Sequence, residues 1–307
     1  MLLIGENIHI LSKKTKKAIL ERDTDYISTI AQKLNDSGVH YIDLNIGPAK
    51  KQQGTMEWLI DIISDVTELP FCLDTTNLAE MEAGLQAIQD KNRPIINSTS
   101  GDPERLETMM PLAQKYNAKI IGLTMDNVSG IPKDPDGRVE IAMAILEKAA
   151  ELDISNDRIF LDPLVLPISV AQDQATESLN SIRVFKEAFD PPVKTTIGLS
   201  NVSNSAPKEN RPLINRVFLV LAMGCGIDSA IVDAFDDKLQ RYVSVINTSN
   251  AENNEEKLIL NLYNMMQDFG DLDDIEYDKN DEEELKIYKT AQILLNKKIY
   301  AHNYLYI

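Results

Sequence analysis

The feature that most restricts the fold is a unit that recurs eight times. Each unit is a short, almost wholly apolar segment, then small or acidic polar residues, then a run with helical spacing. The segments are Leu2–Ile4, Tyr41–Asn45, Pro70–Asp74, Pro94–Ser98, Lys119–Thr124, Arg158–Asp162, Lys194–Leu199 and Ser229–Val232. They do not alternate apolar with polar, as expected of parallel strands buried on both faces. The helical runs are Lys14–Leu34, Met56–Val66, Leu78–Ile88, Pro103–Tyr116, Val139–Leu152, Val170–Phe189 and the apolar run that Pro212 opens. Pro suits a first helical turn, and Asp102 before Pro103 is an expected N-cap. Eight such units in 307 residues predict an α/β fold, a (β/α)8 TIM barrel. The alternative is a doubly wound open sheet. That fold more often carries a Gly-rich phosphate loop after its first strand, where this chain has Gly5-Glu6-Asn7.

The eighth unit is irregular. After Asp236–Val245, the polar stretch Asn247–Glu256 predicts an exposed loop. Leu258, Ile259, Leu262, Met266 and Phe269 then fit one helix face. From Asp268 to Glu284 there are ten acidic residues against Lys279 alone, a net −9. That composition predicts a solvated or disordered excursion, with a docking surface as the sharper reading. Leu285–Leu295 resumes helical spacing and is expected to close the barrel. The chain therefore reads as a single domain over 1–307, with an acidic, partly helical insertion at about 247–284.

The net charge of −17 leaves no basic stripe for nucleic acid and no attraction to an anionic membrane surface. Cys72 and Cys225, the only cysteines, sit in apolar runs and read as small buried hydrophobes in a reducing compartment. The N-terminus turns acidic too soon for a signal peptide, and no apolar run reaches the roughly 18 residues of a membrane span. The longest run, Val217–Cys225, reads as a core helix. A cytoplasmic protein is expected.

In a barrel the strand C-terminal ends converge on one mouth, where sites lie. The residues there are Glu6, Asn7, Asp43, Asn45, Asp74, Asn97, Asp126, Asp162, Ser200, Asn201 and Asp233. Singly, each is more often a turn or cap residue. Together they are a set of carboxylates and carboxamides whose burial is costly unless donors meet them, and a ligand rich in N–H groups would supply those donors. With only His9, His40 and His302, a His-rich metal site is not expected, and no metal is assigned to the chain. There is no phosphate-binding Gly-rich Lys-Ser/Thr loop and no nucleophile elbow. Trp58, the single tryptophan, sits in a helical run, so the aromatics that a glycosidase mouth needs are missing.

Nine stretches carry a resemblance: Gly5-Glu-Asn, Asp43-Leu-Asn-Ile-Gly-Pro48, Cys72-Leu-Asp-Thr-Thr, Ile96-Asn-Ser-Thr, Gly122-Leu-Thr-Met, Gly130-Ile-Pro-Lys-Asp, Leu161-Asp-Pro-Leu, Gly198-Leu-Ser-Asn-Val-Ser and Asn210-Arg-Pro-Leu-Ile-Asn-Arg. In this order they resemble the pterin-binding methyltransferases, in particular the methyltetrahydrofolate:corrinoid/iron–sulfur protein methyltransferases of the acetyl-CoA pathway. The resemblance runs from Met1 to about Val245 and resumes over Leu285–Tyr300. The acidic stretch between departs from it.

The resemblance implies a pterin-binding barrel in which Asp74, Asn97 and Asp162 bind the pterin of 5-methyltetrahydrofolate. Gly198 and Ser200 line its edge, and Asn201 hydrogen-bonds N5 as the catalytic residue. Glu6, Asp43, Asn45, Arg211 and Asp233 are secondary candidates. A carboxylate can accept paired N–H bonds from the pterin 2-amino and N3 groups. The implied reaction moves the N5-methyl group to Co(I) of a corrinoid, a cobalamin-type substrate. A donor to N5 that strengthens as the C–N bond breaks lowers that barrier. Solvent, or a water held by the carboxylates, is the expected proton source. The chain lacks the Asp-x-His-x-x-Gly signature of proteins that carry cobalamin. The corrinoid is therefore expected on a partner, either a corrinoid/iron–sulfur protein or a small corrinoid protein, and a homodimer is expected.

Other functions stay in view. A methylotrophic demethylation system would run the transfer toward tetrahydrofolate. Dihydropteroate synthase shares the barrel but usually has Ser-Arg-Lys after strand seven. Here Ser200-Asn201-Val202 offers no cation for a pyrophosphate. A non-enzymatic pterin-binding subunit is the rival from another class.

Overall fold

The computed structural model describes residues 1–49, 53–88 and 93–306. Eight parallel strands run in the order β7-β6-β5-β4-β3-β2-β1-β8. They are β1 (Leu2–His9), β2 (Tyr41–Asn45), β3 (Phe71–Asp74), β4 (Ile95–Ser100), β5 (Lys119–Leu123), β6 (Ile159–Asp162), β7 (Lys194–Thr195) and β8 (Ser229–Val232). The backbone N–H of Ile231 donates to the Ile197 carbonyl at 2.8 Å, and Gly198 bridges Ile231. These contacts join the two ends of the sheet, giving the (β/α)8 barrel that the repeating unit predicts.

Most strands lie within one or two residues of the expected ends, and two differ by more. The first runs on to His9 through a register shift between Gly5 and Ile8. The polar Glu6, Asn7 and His9 hide that extension from an apolar count. The seventh is shorter than Lys194–Leu199, because Leu199–Asn201 coil into a 3-10 turn in which Asn201 N–H donates to the Gly198 carbonyl at 3.2 Å.

The helices are α1 (Lys13–Glu21), α2 (Thr24–Asp36), α3 (Thr55–Ser64), α4 (Leu78–Ala87), α5 (Pro103–Lys115), α6 (Pro135–Glu151), α7 (Asp173–Ala188), α8 (Arg211–Gly224), α9 (Asp237–Thr248), α10 (Asn254–Gln267) and α11 (Glu282–Leu294). The run expected as one helix over Lys14–Leu34 is broken. Arg22 adopts φ 55°, and Asp23 caps α2 by accepting from Tyr26 N–H at 3.0 Å. Asp102 occupies the position before α5 without capping it. Its carboxylate accepts instead from the Ser100 hydroxyl at 2.9 Å and from Asn127 N–H at 2.7 Å. Val217–Gly224 is buried along α8, as expected of the longest apolar run.

The acidic stretch is neither wholly exposed nor disordered. Glu256 lies in α10, buried, and pairs with Arg241 at 2.7 Å. Leu258, Ile259, Leu262 and Met266 are buried as expected, while Phe269 is 72% exposed beneath the Arg183 guanidinium. Leu272 is buried and Tyr277 stacks on Tyr288 of α11 with centroids 4.0 Å apart. Glu284, also buried, accepts from Asp278 N–H at 2.8 Å. Cutting out 247–284 would therefore remove α10 and its buried face, not a free loop. Among the described residues no helix is long and apolar enough to cross a membrane.

Among the described residues the buried apolar side chains divide into two clusters. The larger lies between strands and helices. The smaller fills the barrel: Ile4, Tyr41, Cys72, Ile95, Ile121, Phe160 and Ile231, one from each of seven strands. Side chains two apart on a strand share a face. The next inward positions toward the strand C-termini are thus Glu6, Asp43, Asp74, Asn97, Leu123, Asp162 and Asp233. An apolar plug is therefore topped by a layer that is polar on six of seven strands.

Candidate active site

The polar layer is held together in pairs. Register places Asn45, Asp74 and Asn97 side by side on β2, β3 and β4. The Asn45 amide donates to the Asp74 carboxylate, and its carbonyl oxygen accepts from Gly47 N–H at 3.1 Å. The Asn97 amide donates to Asp43 at 3.5 Å, which leaves the Asn97 carbonyl oxygen without a hydrogen bond in the described residues. Asp162 accepts from Leu164 N–H at 2.7 Å and from the backbone of Gly198. Across the barrel the Ser200 hydroxyl donates to Glu6. The Asn7 amide donates to Asp233 at 2.6 Å, and its oxygen accepts from Ala234 N–H at 2.9 Å.

These carboxyls are short of positive charge. Burial pushes Glu6 up to about 7, despite the Ser200 hydrogen bond, and the Asp233 charge adds to the rise. Burial pushes Asp74 up to about 7 against the Asn45 hydrogen bond. Asp162 also rises to about 7 by burial, partly offset by the Leu164 and Gly198 backbone donors and the Arg138 charge. Asp43, deepest of the four, is raised well above the usual carboxylate range, by burial first and then by Asp74. The Cys72 thiol beside it is likewise pushed up by burial. A ligand bringing two adjacent N–H donors to such a carboxylate would stabilise its ionised form, so this layer suits a polar, N–H-rich heterocycle.

Asn201 is exposed, and its side chain makes no hydrogen bond in the described residues. A Cβ on Gly198 would stand 3.0 Å from the Asn201 amide nitrogen, so the missing side chain leaves that amide its place. Two expected residues stand apart from the layer. Asp126 spends its carboxylate on its own turn, accepting from Val128 N–H at 2.9 Å and from Ser129 N–H. Arg211, at the start of α8, donates to the Ala206 carbonyl at 2.9 Å and so ties down the loop that follows Asn201.

Sequence reasoning missed three features. Arg138 is fully buried on α6, donating to Ser181 at 3.0 Å, Gln174 at 2.8 Å and the Pro132 carbonyl at 3.1 Å. An Arg in an alanine-rich run gives no sign of burial. Glu80 of α4 is buried and accepts from the N–H groups of Gly54, Thr55 and Met56, so it caps α3 from another element. The Thr196 hydroxyl is buried with no hydrogen-bond partner among the described residues.

Comparison with known proteins follows the same lines. Residues 11–233 match the model of a family described as pterin binding enzyme. A methylcorrinoid:tetrahydrofolate methyltransferase of Eubacterium limosum is 30% identical over 236 residues, covering 76% of this chain and 85% of that protein. The methionine synthase of Mycobacterium leprae is 28% identical and that of Mycobacterium tuberculosis 29% identical, each over 246 residues and 76% of this chain. The chain matches only 20% of the length of either synthase. A crystal structure of dihydropteroate synthetase superposes with a TM-score of 0.57 at 14% identity, covering 81% of this chain and 94% of that one, a likeness of fold. The chain belongs to the pterin binding enzyme family.

Proposed function

We propose that this protein is a folate–corrinoid methyltransferase, moving a methyl group between N5 of tetrahydrofolate and the cobalt of a corrinoid carried by a partner protein. The observation that carries the reading is the half-buried row of Asn45, Asp74 and Asn97, with the buried Asp162 on the same mouth. Its carboxyls are raised by burial and have few donors of their own. In this reading Asp74 and Asp162 accept N–H bonds from the pterin, and the free oxygen of Asn97 accepts one more. Gly198 and Ser200 flank the pterin edge, and Asn201 turns its amide to N5. The corrinoid supplies a cobalt that takes or gives the methyl group. Asn201 lowers the barrel-side barrier by donating to N5 most strongly when its lone pair is developing.

Two settings compete for the direction of transfer. The name of the Eubacterium limosum relative favours transfer from a methylated corrinoid protein to tetrahydrofolate, over the acetyl-CoA pathway that the sequence resemblance first suggests. A cytoplasmic homodimer working with a small corrinoid protein completes the proposal.

Calorimetry with tetrahydrofolate and 5-methyltetrahydrofolate tests the site. The parent should bind both, and Asp74→Ala should weaken binding by about 2–5 kcal/mol, the range for removing one partner of a buried, hydrogen-bonded charge. Unchanged affinity in a folded variant would remove Asp74 from the site.

A further inference from the structure

The proposed transfer has to handle one proton at N5, and Asn201 cannot supply or keep it, because a carboxamide does not titrate in this range. Resting on the folate–corrinoid reading above, we propose that Glu6 holds this proton and exchanges it with N5 through the Ser200 hydroxyl.

The geometry singles out this pair. Glu6 comes from β1 and Ser200 from the turn after β7, 194 residues apart, and the Ser200 hydroxyl donates to the Glu6 carboxylate. Ser200 is the residue before Asn201, on the 3-10 turn that the barrel presents at its mouth. A hydroxyl both donates and accepts. With Glu6 ionised, Ser200 donates to it and keeps lone pairs for an incoming N–H. With Glu6 protonated, the carboxyl donates to Ser200, and the Ser200 hydrogen is free to turn toward N5.

The other titratable groups of the layer are placed for other work. Asp74 and Asp162 serve the pterin ring and must stay ionised to accept its N–H groups. Asp43 is the most buried carboxyl of the layer, bonded to Asn97 and Cys72. Asp233 is exposed and already accepts from the Asn7 amide and from Phe235 N–H. His9 faces Asp233 and is shifted down by burial. The charged neighbours that act on Glu6 and Asp43 are carboxylates, Asp233 from the β8 side and Asp74 from β3, and no Lys or Arg is among them. Burial and Asp233 leave the Glu6 carboxyl titrating at about 7, where it can both release and take up a proton.

In the direction toward folate, the N5 lone pair forms the bond to the methyl carbon. The methyl–cobalt bond breaks with its electron pair left on the metal. The N5 proton passes to the Ser200 oxygen as the Ser200 proton passes to the Glu6 carboxylate. In the opposite direction each step reverses, and Glu6 returns the proton to N5.

The test compares the parent with Glu6→Gln, which can still accept from Ser200 but cannot store a proton, and with Ser200→Ala, which leaves Glu6 but cuts the path. Single-turnover methyl transfer from a methylated corrinoid to tetrahydrofolate is followed across pH. At saturating tetrahydrofolate, where the pterin N–H groups hold Asp74 and Asp162 ionised, each variant should transfer about 10²-fold more slowly, the usual contribution of a positioned acid–base group, and lose the inflection near neutral pH. In both variants the loss in rate should exceed any loss in tetrahydrofolate affinity, because it falls on the chemical step. A second readout is independent of turnover: calorimetry of 5-methyltetrahydrofolate binding in buffers of different ionisation heat. Protonated Glu6 favours the Ser200 bond to N5, so the parent should take up a fraction of a proton more than Glu6→Gln. Parent-like rate, inflection and proton count in Glu6→Gln would overturn the proposal, and Ser200→Ala decides the matter if Glu6→Gln does not fold. A parent protein that binds no folate and moves no methyl would overturn the underlying reading instead.

Discussion

Asp162→Asn separates what the site costs the fold from what it gives to binding. Asp162 is 7% exposed and its carboxyl is raised by burial from 3.8 to about 7. A carboxyl whose folded value lies above its unfolded value stabilises the fold fully below the unfolded value, and loses that contribution as pH rises to the folded one. Across about three pKa units at 1.36 kcal/mol each, the parent gives up roughly 4 kcal/mol between about pH 4 and pH 7. An asparagine has no such dependence. It carries a fixed penalty: Asp162 accepts from both Leu164 and Gly198, and a single carboxamide oxygen serves them less well, by about 1–2 kcal/mol. Without ligand, the variant should therefore be slightly less stable than the parent near about pH 4–5, and more stable by roughly 2–3 kcal/mol near about pH 8. Its affinity for 5-methyltetrahydrofolate should fall. Urea denaturation of both proteins at the two pH values measures this. A stability difference that does not change with pH, or that moves against the variant as pH rises, would refute the reasoning.

Asn201→Ala should slow single-turnover transfer by about 10²–10³ while weakening folate binding much less, as expected for a donor aimed at charge that changes in the transition state. Parent-rate transfer would move the activating role to Asp74 or Asp162. Gly198→Ala should slow transfer by about tenfold with little loss of stability, because φ of −82° tolerates alanine while the new Cβ would press on the Asn201 amide at 3.0 Å. A fall in stability without a fall in rate would contradict this. Glu80→Ala should destabilise the fold by about 2–4 kcal/mol, since it strands three N–H groups at the start of α3, and denaturation curves would show it.

The barrel was legible because strands buried on both faces are apolar throughout, and the polar layer because a barrel ends its inward positions at a mouth. Ile4 and Glu6, Cys72 and Asp74, or Phe160 and Asp162 are each two apart, so an apolar position inside the barrel announces the site residue above it. What was not legible depends on partners distant in sequence. The Ser200–Glu6 bond spans 194 residues, and no local pattern foretells it. Glu80 looks like an ordinary surface acid of α4 until α3 is folded against it. The Asp23-Thr24 cap signal was lost inside a helical period that runs straight through it. The charge of the 268–284 stretch concealed Leu272 and Tyr277, which are fixed against Tyr288 of α11, and Glu284 of α11 itself, which accepts from Asp278 N–H.

The most direct test of the proposed chemistry is transfer of an isotopically labelled methyl group from a methylated corrinoid protein to tetrahydrofolate, with the product read by mass spectrometry. The parent should place the label on N5, and the same protein should return it to the reduced corrinoid when supplied with labelled 5-methyltetrahydrofolate. Label that stays on the corrinoid in the presence of a folate-saturated parent would contradict the assignment as a folate–corrinoid methyltransferase.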